Sequence, residues 1–339
     1  MREKSYYNNI HDIVKINSNF LFPGFKPGEV SDPDITIEIK KYIDFSKEGL
    51  SRLDFWFYGK EGGNFVHFED NFFGMKNKVL LKNLEGQTEV FCNKSVLRLD
   101  RFYPPRSRKS FKDLIDTIIR IKQIKKGYLN IHASCLSRDG SAILFAAFPN
   151  VGKTLSTLQL LKKGFKYLSD DTVLVDRNGK AYLTSFPSAI GYEDFLKFIS
   201  PTDIRTRKYY KTLVKDWLIK HSNILNRVMQ PPLICLGDLF ETVDESKVDV
   251  VCTLEIGERR IREVDKEYMA EKITTINDYS LSRINNPFIF VYSYFNDSSV
   301  GEIERMQKEN LLGFLEGCRC YSLACNDWNW MELISEVIE

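Results

Sequence analysis

One short segment of the sequence has the residue types needed to bind phosphate. Residues 147–154 read AFPNVGKT and lie between the apolar run SAILFA and the amphipathic run LSTLQLLKKG. A loop at the start of a helix presents backbone N–H groups to phosphate oxygens, and the helix dipole there favours negative charge. Lys153 adds a positive charge for the outer phosphates, and Thr154 offers a hydroxyl to Mg²⁺. The pattern predicts a nucleotide-binding loop between a buried strand and a helix.

The loop departs from the pattern G-x-x-x-x-G-K-[ST] at its first position, where Ala147 replaces glycine. Glycine permits backbone angles and close approaches that a Cβ hinders, so we expect a slightly re-angled loop. Asn150 enters the left-handed region more readily than most residues. The residues expected to contact the nucleotide are Ala147, Asn150, Val151, Gly152, Lys153, Thr154 and Leu155.

A pair of adjacent acids follows the loop, in the segment LSDDTVLV. Burying Asp170 and Asp171 without a cation is costly, which favours a role beside the loop. Neighbouring side chains of a strand point to opposite faces, so the two carboxylates should have different roles. One would reach Mg²⁺, and the other would take a proton from an attacking hydroxyl. The alternative is a solvated turn ahead of a strand.

Upstream of the loop, His132 lies in a strand-like segment, NIHASCLS. A lone histidine is more often a hydrogen-bonded core residue than a catalytic one, and both interpretations stay open at this point.

The elements around these residues divide the chain into two parts. Alternating apolar residues predict a mostly antiparallel β region over residues 1–105. A helix with one apolar face is predicted at 111–127, and the segments after it alternate between strands and helices. Further strands are predicted at 34–45, 52–60, 64–70, 78–84, 88–99, 128–137, 141–148, 167–175, 248–256 and 287–295.

Composition indicates an ordinary globular chain. Of 339 residues, 43% are hydrophobic and 28% charged, and the formal charge is only +2. This charge gives no reason to expect a nucleic acid or membrane partner. No stretch is long and apolar enough to cross a bilayer, and residues 1–12 lack the apolar core of a signal peptide. Seven cysteines without a Cys-x-x-Cys pair favour free thiols and a cytoplasmic location.

The three chemical elements together resemble the catalytic domain of HPr kinase/phosphorylase, which is related to the nucleotide core of phosphoenolpyruvate carboxykinase. The likeness covers residues 131–175, where His132, an apolar strand, the Gly-Lys-Thr loop, a short helix and the Asp-Asp segment follow in the family's order. It implies an α/β fold with ATP and Mg²⁺ at Lys153 and Thr154. It also implies Asp170 as the catalytic base, Asp171 as a metal or supporting ligand, and His132 as a site residue.

The same resemblance implies a kinase domain over residues 106–339. From its position outside that domain, the β-rich region 1–105 is expected to recognise a substrate or partner. The expected acceptor of the kinase is a hydroxyl of a peptide, a protein serine or a small molecule. HPr itself is not expected, because the family's downstream arginine signature and regulatory domain are not recognisable. Arg227 or Arg259 could assist transfer, and the basic segment 205–227 could contact the acceptor. The family also suggests a homo-oligomer.

Two other functions fit parts of the sequence. The wording PNVGKT is typical of GTPases, but no guanine-reading Asn-Lys-x-Asp follows the loop, and the Asp-x-x-Gly at 176–179 lies too close to it. A nucleotide-binding module without catalysis is the other alternative. The acid pair argues against it, because such a module needs no base beside the phosphates.

Overall fold

The protein is a mixed α/β chain with two large mixed sheets. The computed structural model divides the chain into two compact units, Met1–Gly127 with Ser282–Gln307, and Tyr128–Leu281 with Lys308–Glu339. The residues that the structure describes are 5–22, 24–72, 74–100, 110–184, 188–189, 214, 217, 221, 233–281, 286–296, 299–327 and 329–338.

The first unit contains a nine-stranded sheet among its described residues, in the order β3-β1-β2-β4-β9-β8-β7-β6-β5. Strand β2 pairs in parallel with β4, and β4 with β9, while the other pairs are antiparallel. The strands are β1 (Tyr6–Ile10), β2 (Val14–Ser18), β3 (Lys26–Pro27), β4 (Ile35–Lys40), β5 (Ser51–Arg52), β6 (Phe57–Gly59), β7 (Phe65–Phe72), β8 (Met75–Lys82) and β9 (Thr88–Asn93).

Helices α1 (Lys94–Asp100), α2 (Phe111–Lys125) and α5 (Pro287–Phe295) belong to the same unit. Ser110 caps α2 by accepting the N–H of Asp113, as its position before an amphipathic run predicts. Because the ammonium of Lys122 on α2 donates to the carbonyl of Leu84, this helix groups with the N-terminal strands. Helix α2 thus lies in the first unit, on the C-terminal side of the division predicted between residues 105 and 106.

The second unit contains the other nine-stranded sheet of the described chain, in the order β10-β14-β15-β18-β12-β11-β13, with β20 beside β18 and β19. Strand β18 is parallel to β12 and to β20. Its strands are β10 (Tyr128–Ile131), β11 (Ala133–Arg138), β12 (Ser141–Ala147), β13 (Lys166–Ser169), β14 (Val173–Asp176), β15 (Lys180–Tyr182), β18 (Glu245–Ile256), β19 (Arg260–Glu263) and β20 (Arg319–Cys325). Strands β16 (Ser188–Ala189) and β17 (Leu233–Ile234) form a separate pair.

Helices cover both faces of this second sheet. Successive side chains of β12 alternate between two apolar cores. The core containing Phe145 and Ala147 includes residues of α3 (Lys153–Lys162) and α7 (Trp330–Ile338). The core containing Leu144 and Ala146 includes residues of α4 (Lys266–Ser280) and of α6 (Val300–Leu315). Strands buried on both faces explain the nearly continuous apolar run of β12.

Three local predictions were wrong. Residues 287–295 form helix α5 rather than a strand, because Pro287 occupies the first turn and Asn286 caps it by accepting the N–H of Phe288 at 3.0 Å. The predicted strand 88–99 ends at Asn93, and helix α1 follows. The segments predicted as single strands at 128–137 and 167–175 are each broken in two, at His132 and at residues 170–172.

The remaining predictions concern cysteines, membrane helices and the basic segment. Every cysteine is free, and most are buried. None of the described helices is both long and apolar enough to span a bilayer. Arg227 lies outside the described residues, as does nearly all of the basic segment 205–227.

Candidate active site

The strand and helix predicted to flank the Gly-Lys-Thr loop are present. Strand β12 ends at Ala147, and α3 begins at Lys153 after Gly152, whose φ is 107°. Asn150 also has a positive φ, of 67°. The chain therefore turns at Asn150 and Gly152, two residue types that tolerate the left-handed region. The first N–H groups of α3 have no partner within the helix, as an anion-binding loop requires.

Ala147 does not distort the loop. It lies within β12, where it pairs with Leu254 of β18, and its methyl group is fully buried in the core beside α3. Because a strand residue needs no left-handed backbone and its Cβ faces the core, alanine fits where the common pattern has glycine. The re-angled loop expected from this substitution is not needed to accommodate it.

Lys153 places a buried ammonium at the loop. The residue is 8% exposed, and its Nζ lies 3.1 Å from Nε2 of His132 and 3.9 Å from a carboxylate oxygen of Asp171. Burial lowers the pKa of the Lys153 ammonium, while the charges of Asp170 and Asp171 oppose that shift. A desolvated lysine beside the start of a helix would gain from an anionic partner such as a phosphate.

Asp170 is enclosed by hydroxyl groups. It is 1% exposed, and it accepts the hydroxyls of Ser134 at 2.5 Å, Thr154 at 3.2 Å and Thr157 at 3.5 Å. Its N–H donates to the hydroxyl oxygen of Tyr167 at 3.0 Å. These hydrogen bonds hold the Asp170 carboxylate in one orientation beside Thr154.

Asp171 has the opposite environment. Its side chain is 56% exposed, and Oδ1 lies 3.4 Å from Nδ1 of His132. Its φ of 95° is unusual for a residue other than glycine. Since the chain turns here between β13 and β14, the carboxylates of Asp170 and Asp171 diverge because of a turn, and not because strand residues alternate.

His132 is held by helix α4. Its N–H donates to the side-chain oxygen of Asn277 at 2.8 Å, and the amide nitrogen of Asn277 donates to the carbonyl of Asn130 at 3.1 Å. An ammonium group can only donate hydrogen bonds, so Nε2 of His132 accepts one from Lys153. Nδ1, on the other side of the ring, faces Oδ1 of Asp171. The histidine thus connects the loop lysine to the accessible carboxylate.

The described residues fit a metal that is shared with a ligand. They include no group of three or more His, Cys, Asp or Glu side chains that could hold an ion by itself. Mg²⁺ in phosphoryl-transfer sites is usually held by one or two carboxylates together with substrate phosphates. The adjoining oxygens of Thr154 and Asp170, 3.2 Å apart, would provide the protein part of such a site.

The structure brings Lys153, Thr154, Asp170, Asp171 and His132 together. Of the other predicted contacts, Leu155 lies in the first turn of α3, and the carbonyl of Val151 accepts the indole N–H of buried Trp330 at 3.1 Å. Arg259 instead pairs with Glu332 and Glu336 of α7, so its charge is already neutralised.

Sequence reasoning missed the residues that support this cluster: Ser134, Thr157, Tyr167 and Asn277. Two of them carry a readable signal. Ser134 lies two residues after His132, and Thr157 lies one helical turn after Lys153. Tyr167 and Asn277 are brought in by the fold and have no local signature.

Comparison with known proteins adds a likeness of limited strength. No family model matches the sequence, and no curated protein is significantly similar to it. Among solved structures, one described as the Hpr(Ser) kinase/phosphatase from Coxiella burnetii matches with a TM-score of 0.29 and 12% sequence identity. The match covers 62% of this chain and 93% of that one. Likeness at this level does not establish a family, so the interpretation of the site depends on its geometry.

Proposed function

We propose that this protein is an ATP-dependent kinase that transfers the γ-phosphoryl group to a hydroxyl acceptor. The observation that supports this is a loop of the phosphate-binding type that lies beside two carboxylates with different environments. Lys153 begins the helix, Asp170 is enclosed beside Thr154, and Asp171 is open to solvent beside His132. A module that only binds nucleotide has no use for the second, accessible carboxylate.

Positioning and charge neutralisation account for most of the catalysis in phosphoryl transfer. The loop from Asn150 to Leu155 would hold the phosphates through its N–H groups, and Lys153 would offset their charge. Thr154 and Asp170 would hold Mg²⁺, which neutralises phosphate charge when bound. The hydroxyls around Asp170 keep that carboxylate oriented for this role.

Asp171 is our candidate for the base, in contrast to the assignment that the family resemblance implies. Its exposed oxygen can reach an acceptor hydroxyl, whereas Asp170 is almost fully buried. As the acceptor oxygen bonds to the γ-phosphorus, Asp171 takes the hydroxyl proton and the bond to the β–γ bridging oxygen breaks, releasing ADP. His132 is a positioning residue, because it lies between Asp171 and Lys153.

The acceptor class remains a hydroxyl on a peptide, a protein or a small molecule, and residues 1–105 are our candidate for recognising it. We also propose that the protein acts in the cytoplasm, in keeping with its free cysteines. A homo-oligomer is proposed as well, on the family resemblance of the sequence.

The decisive experiment compares the two carboxylates. The wild type, Asp171→Asn and Asp170→Asn would each be incubated with γ-labelled ATP, Mg²⁺ and host-cell extract, and their ATP affinity measured by calorimetry. Asp171→Asn should keep its affinity and lose transfer by about 100-fold or more, because general-base catalysis contributes about that much. Asp170→Asn should weaken the Mg²⁺-dependent binding.

Three outcomes would contradict parts of this proposal. Undiminished transfer by Asp171→Asn would remove the base assignment. A wild type that binds ATP but labels nothing would favour a non-catalytic module. Tighter binding of GTP than of ATP would favour a GTPase-type switch.

A further inference from the structure

A cavity adjoins the loop on the α4 side of the second sheet. It has a volume of about 490 Å³, within the range of small-molecule sites. Phe148 and Val151 of the loop form part of its wall, together with Thr253 and Leu254 at the end of β18 and Ile276 of α4. Parallel strands β12 and β18 both end here, and ligands of open α/β sheets bind beyond the carboxyl ends of such strands.

One hydroxyl in the cavity wall lacks a partner. Thr253 is 1% exposed, and its Oγ1 has no hydrogen-bond partner among the described residues. Its neighbour across the parallel ladder, Ser322 of β20, also has a buried hydroxyl with no partner in the described chain, but it does not line the cavity. Buried polar groups are rarely left unpaired, so a ligand in the cavity would satisfy Thr253.

The charge of the cavity disfavours phosphate. Its lining includes Glu255, Glu271 and Lys272, and Lys272 pairs with Glu255 at 3.0 Å. The lining thus carries more acidic than basic side chains, and its deep wall is apolar. An uncharged ring with polar edges matches this surface, because its faces pack on apolar side chains while its edge bonds to a hydroxyl.

The cavity is also separate from the reacting groups. Lys153, His132, Asp170 and Asp171 are not among its lining residues, whereas loop residues Phe148 and Val151 are. An acceptor hydroxyl must lie against Asp171, so the occupant of the cavity is the part of a bound ligand remote from the transferred group. The nucleoside end of ATP is connected to the loop through its phosphates and meets this condition.

We infer that this cavity binds the nucleobase of the nucleotide, with the Thr253 hydroxyl bonded to the edge of the base. The inference rests on the proposed function, and it assigns the base-binding residues of that site. The exposed ring of Phe148, which packs against Tyr279 at 5.3 Å between centroids, borders the cavity beside the loop.

The test compares ATP with inorganic tripolyphosphate, which has no base, by calorimetry in Mg²⁺ on the full chain. Thr253→Val replaces the hydroxyl with a methyl group of similar size and should weaken ATP binding about five-fold, the usual effect of one hydrogen bond. Thr275→Trp places a bulky ring at an exposed position of the cavity lining and should weaken ATP at least about ten-fold by blocking apolar contact. Neither should change tripolyphosphate binding.

Ser322→Ala is the matched control, because it removes the neighbouring buried hydroxyl outside the cavity; it should bind both ligands as the wild type does. Equal weakening of both ligands, or of neither, in the Thr253 and Thr275 variants would overturn the inference. A wild type that binds tripolyphosphate as tightly as ATP would also overturn the inference. That result would leave the assignment of the phosphate-binding loop intact. A wild type that binds neither ligand would remove the proposed function as well.

Discussion

In the part of the chain that the structure describes, each unit buries one lysine and one histidine, and the surroundings of the two pairs differ. In the first unit, Lys122 is 5% exposed and donates to the carbonyls of Leu84 and Gly86. In the second unit, Lys153 is 8% exposed, and its ammonium lies beside the ring of His132 and the carboxylate of Asp171. Burial lowers the pKa of both ammonium groups, that of Lys122 to about 8.

The histidines repeat the contrast. His67 of the first unit is fully buried and stacks on Phe45 with ring centroids 4.6 Å apart. Burial lowers its pKa to about 4, so the ring is neutral at pH 7. His132 instead lies between a loop lysine and an exposed aspartate. The lowered pKa values of Lys122, His67 and Lys153 therefore reflect burial in both units. The neighbouring groups of each side chain distinguish a structural residue from a candidate catalytic one.

Substituting the two lysines should separate these roles with the largest effects. Lys153→Met should weaken ATP binding roughly 100-fold, since it removes a charge-assisted contact to phosphate, and should leave the unfolding midpoint unchanged or raised. Lys122→Met should leave ATP affinity unchanged and lower the free energy of unfolding by about 1–3 kcal/mol, because the buried carbonyl of Leu84 loses its donor. Calorimetry with ATP and urea unfolding measure the two effects.

The comparison breaks if either lysine takes the other's role. Loss of ATP affinity in Lys122→Met, at a concentration where the variant is folded, would place part of the nucleotide site in the first unit. Unfolding of Lys153→Met would make Lys153 a structural residue.

The loop was predictable from sequence because its signals are local. An apolar strand, a Gly-Lys-Thr turn and an amphipathic helix are each encoded within a few residues, and the structure contains the strand and the helix at the expected positions. Helix α5 was missed because its nearly all-apolar sequence has no periodicity. The cap formed by Asn286 and Pro287 was the overlooked signal.

The roles of the acids were not predictable, because they depend on contacts between distant segments. Asp170 acquires its hydroxyl partners from β11 and α3, and the positive φ of Asp171 is set by the turn between β13 and β14. Asn277, which positions His132, comes from a helix far along the chain. Sequence alternation gave the correct expectation of two environments for the wrong structural reason.

A pH titration of stability should expose the structural histidine. His67 has a pKa of about 4 when folded and about 6.5 when unfolded, so below pH 6.5 the unfolded chain binds a proton that the folded chain does not. Stability should therefore fall as the pH drops from about 6.5 to about 4, by at most about 3 kcal/mol, and this contribution should level off below pH 4. Glu69, 3.6 Å from the ring, and Lys47 and Lys78 beside it are the nearest charges.

His67→Phe is the matched variant, since an aromatic ring can keep the stack on Phe45. The unfolding free energy of the wild type minus that of the variant should fall as the pH falls, because only the wild type has His67. The other titrating groups are present in both proteins and cancel in this difference. A difference that is constant from pH 7 to pH 4 would mean that His67 titrates normally and is not the structural counterpart of His132.

The smallest effect concerns the loop itself, where Ala147 belongs with the structural residues and Lys153 with the ligand-binding ones. Ala147→Gly restores the common loop pattern but removes a buried methyl group and loosens a strand end. We expect unfolding free energy to fall by about 1 kcal/mol, and ATP affinity to stay the same, because the turn is made at Asn150 and Gly152. Urea unfolding and calorimetry on the same samples check both. An increase in ATP affinity would show that the alanine restricts the loop, and that the boundary between structural and ligand-binding residues lies earlier in the chain.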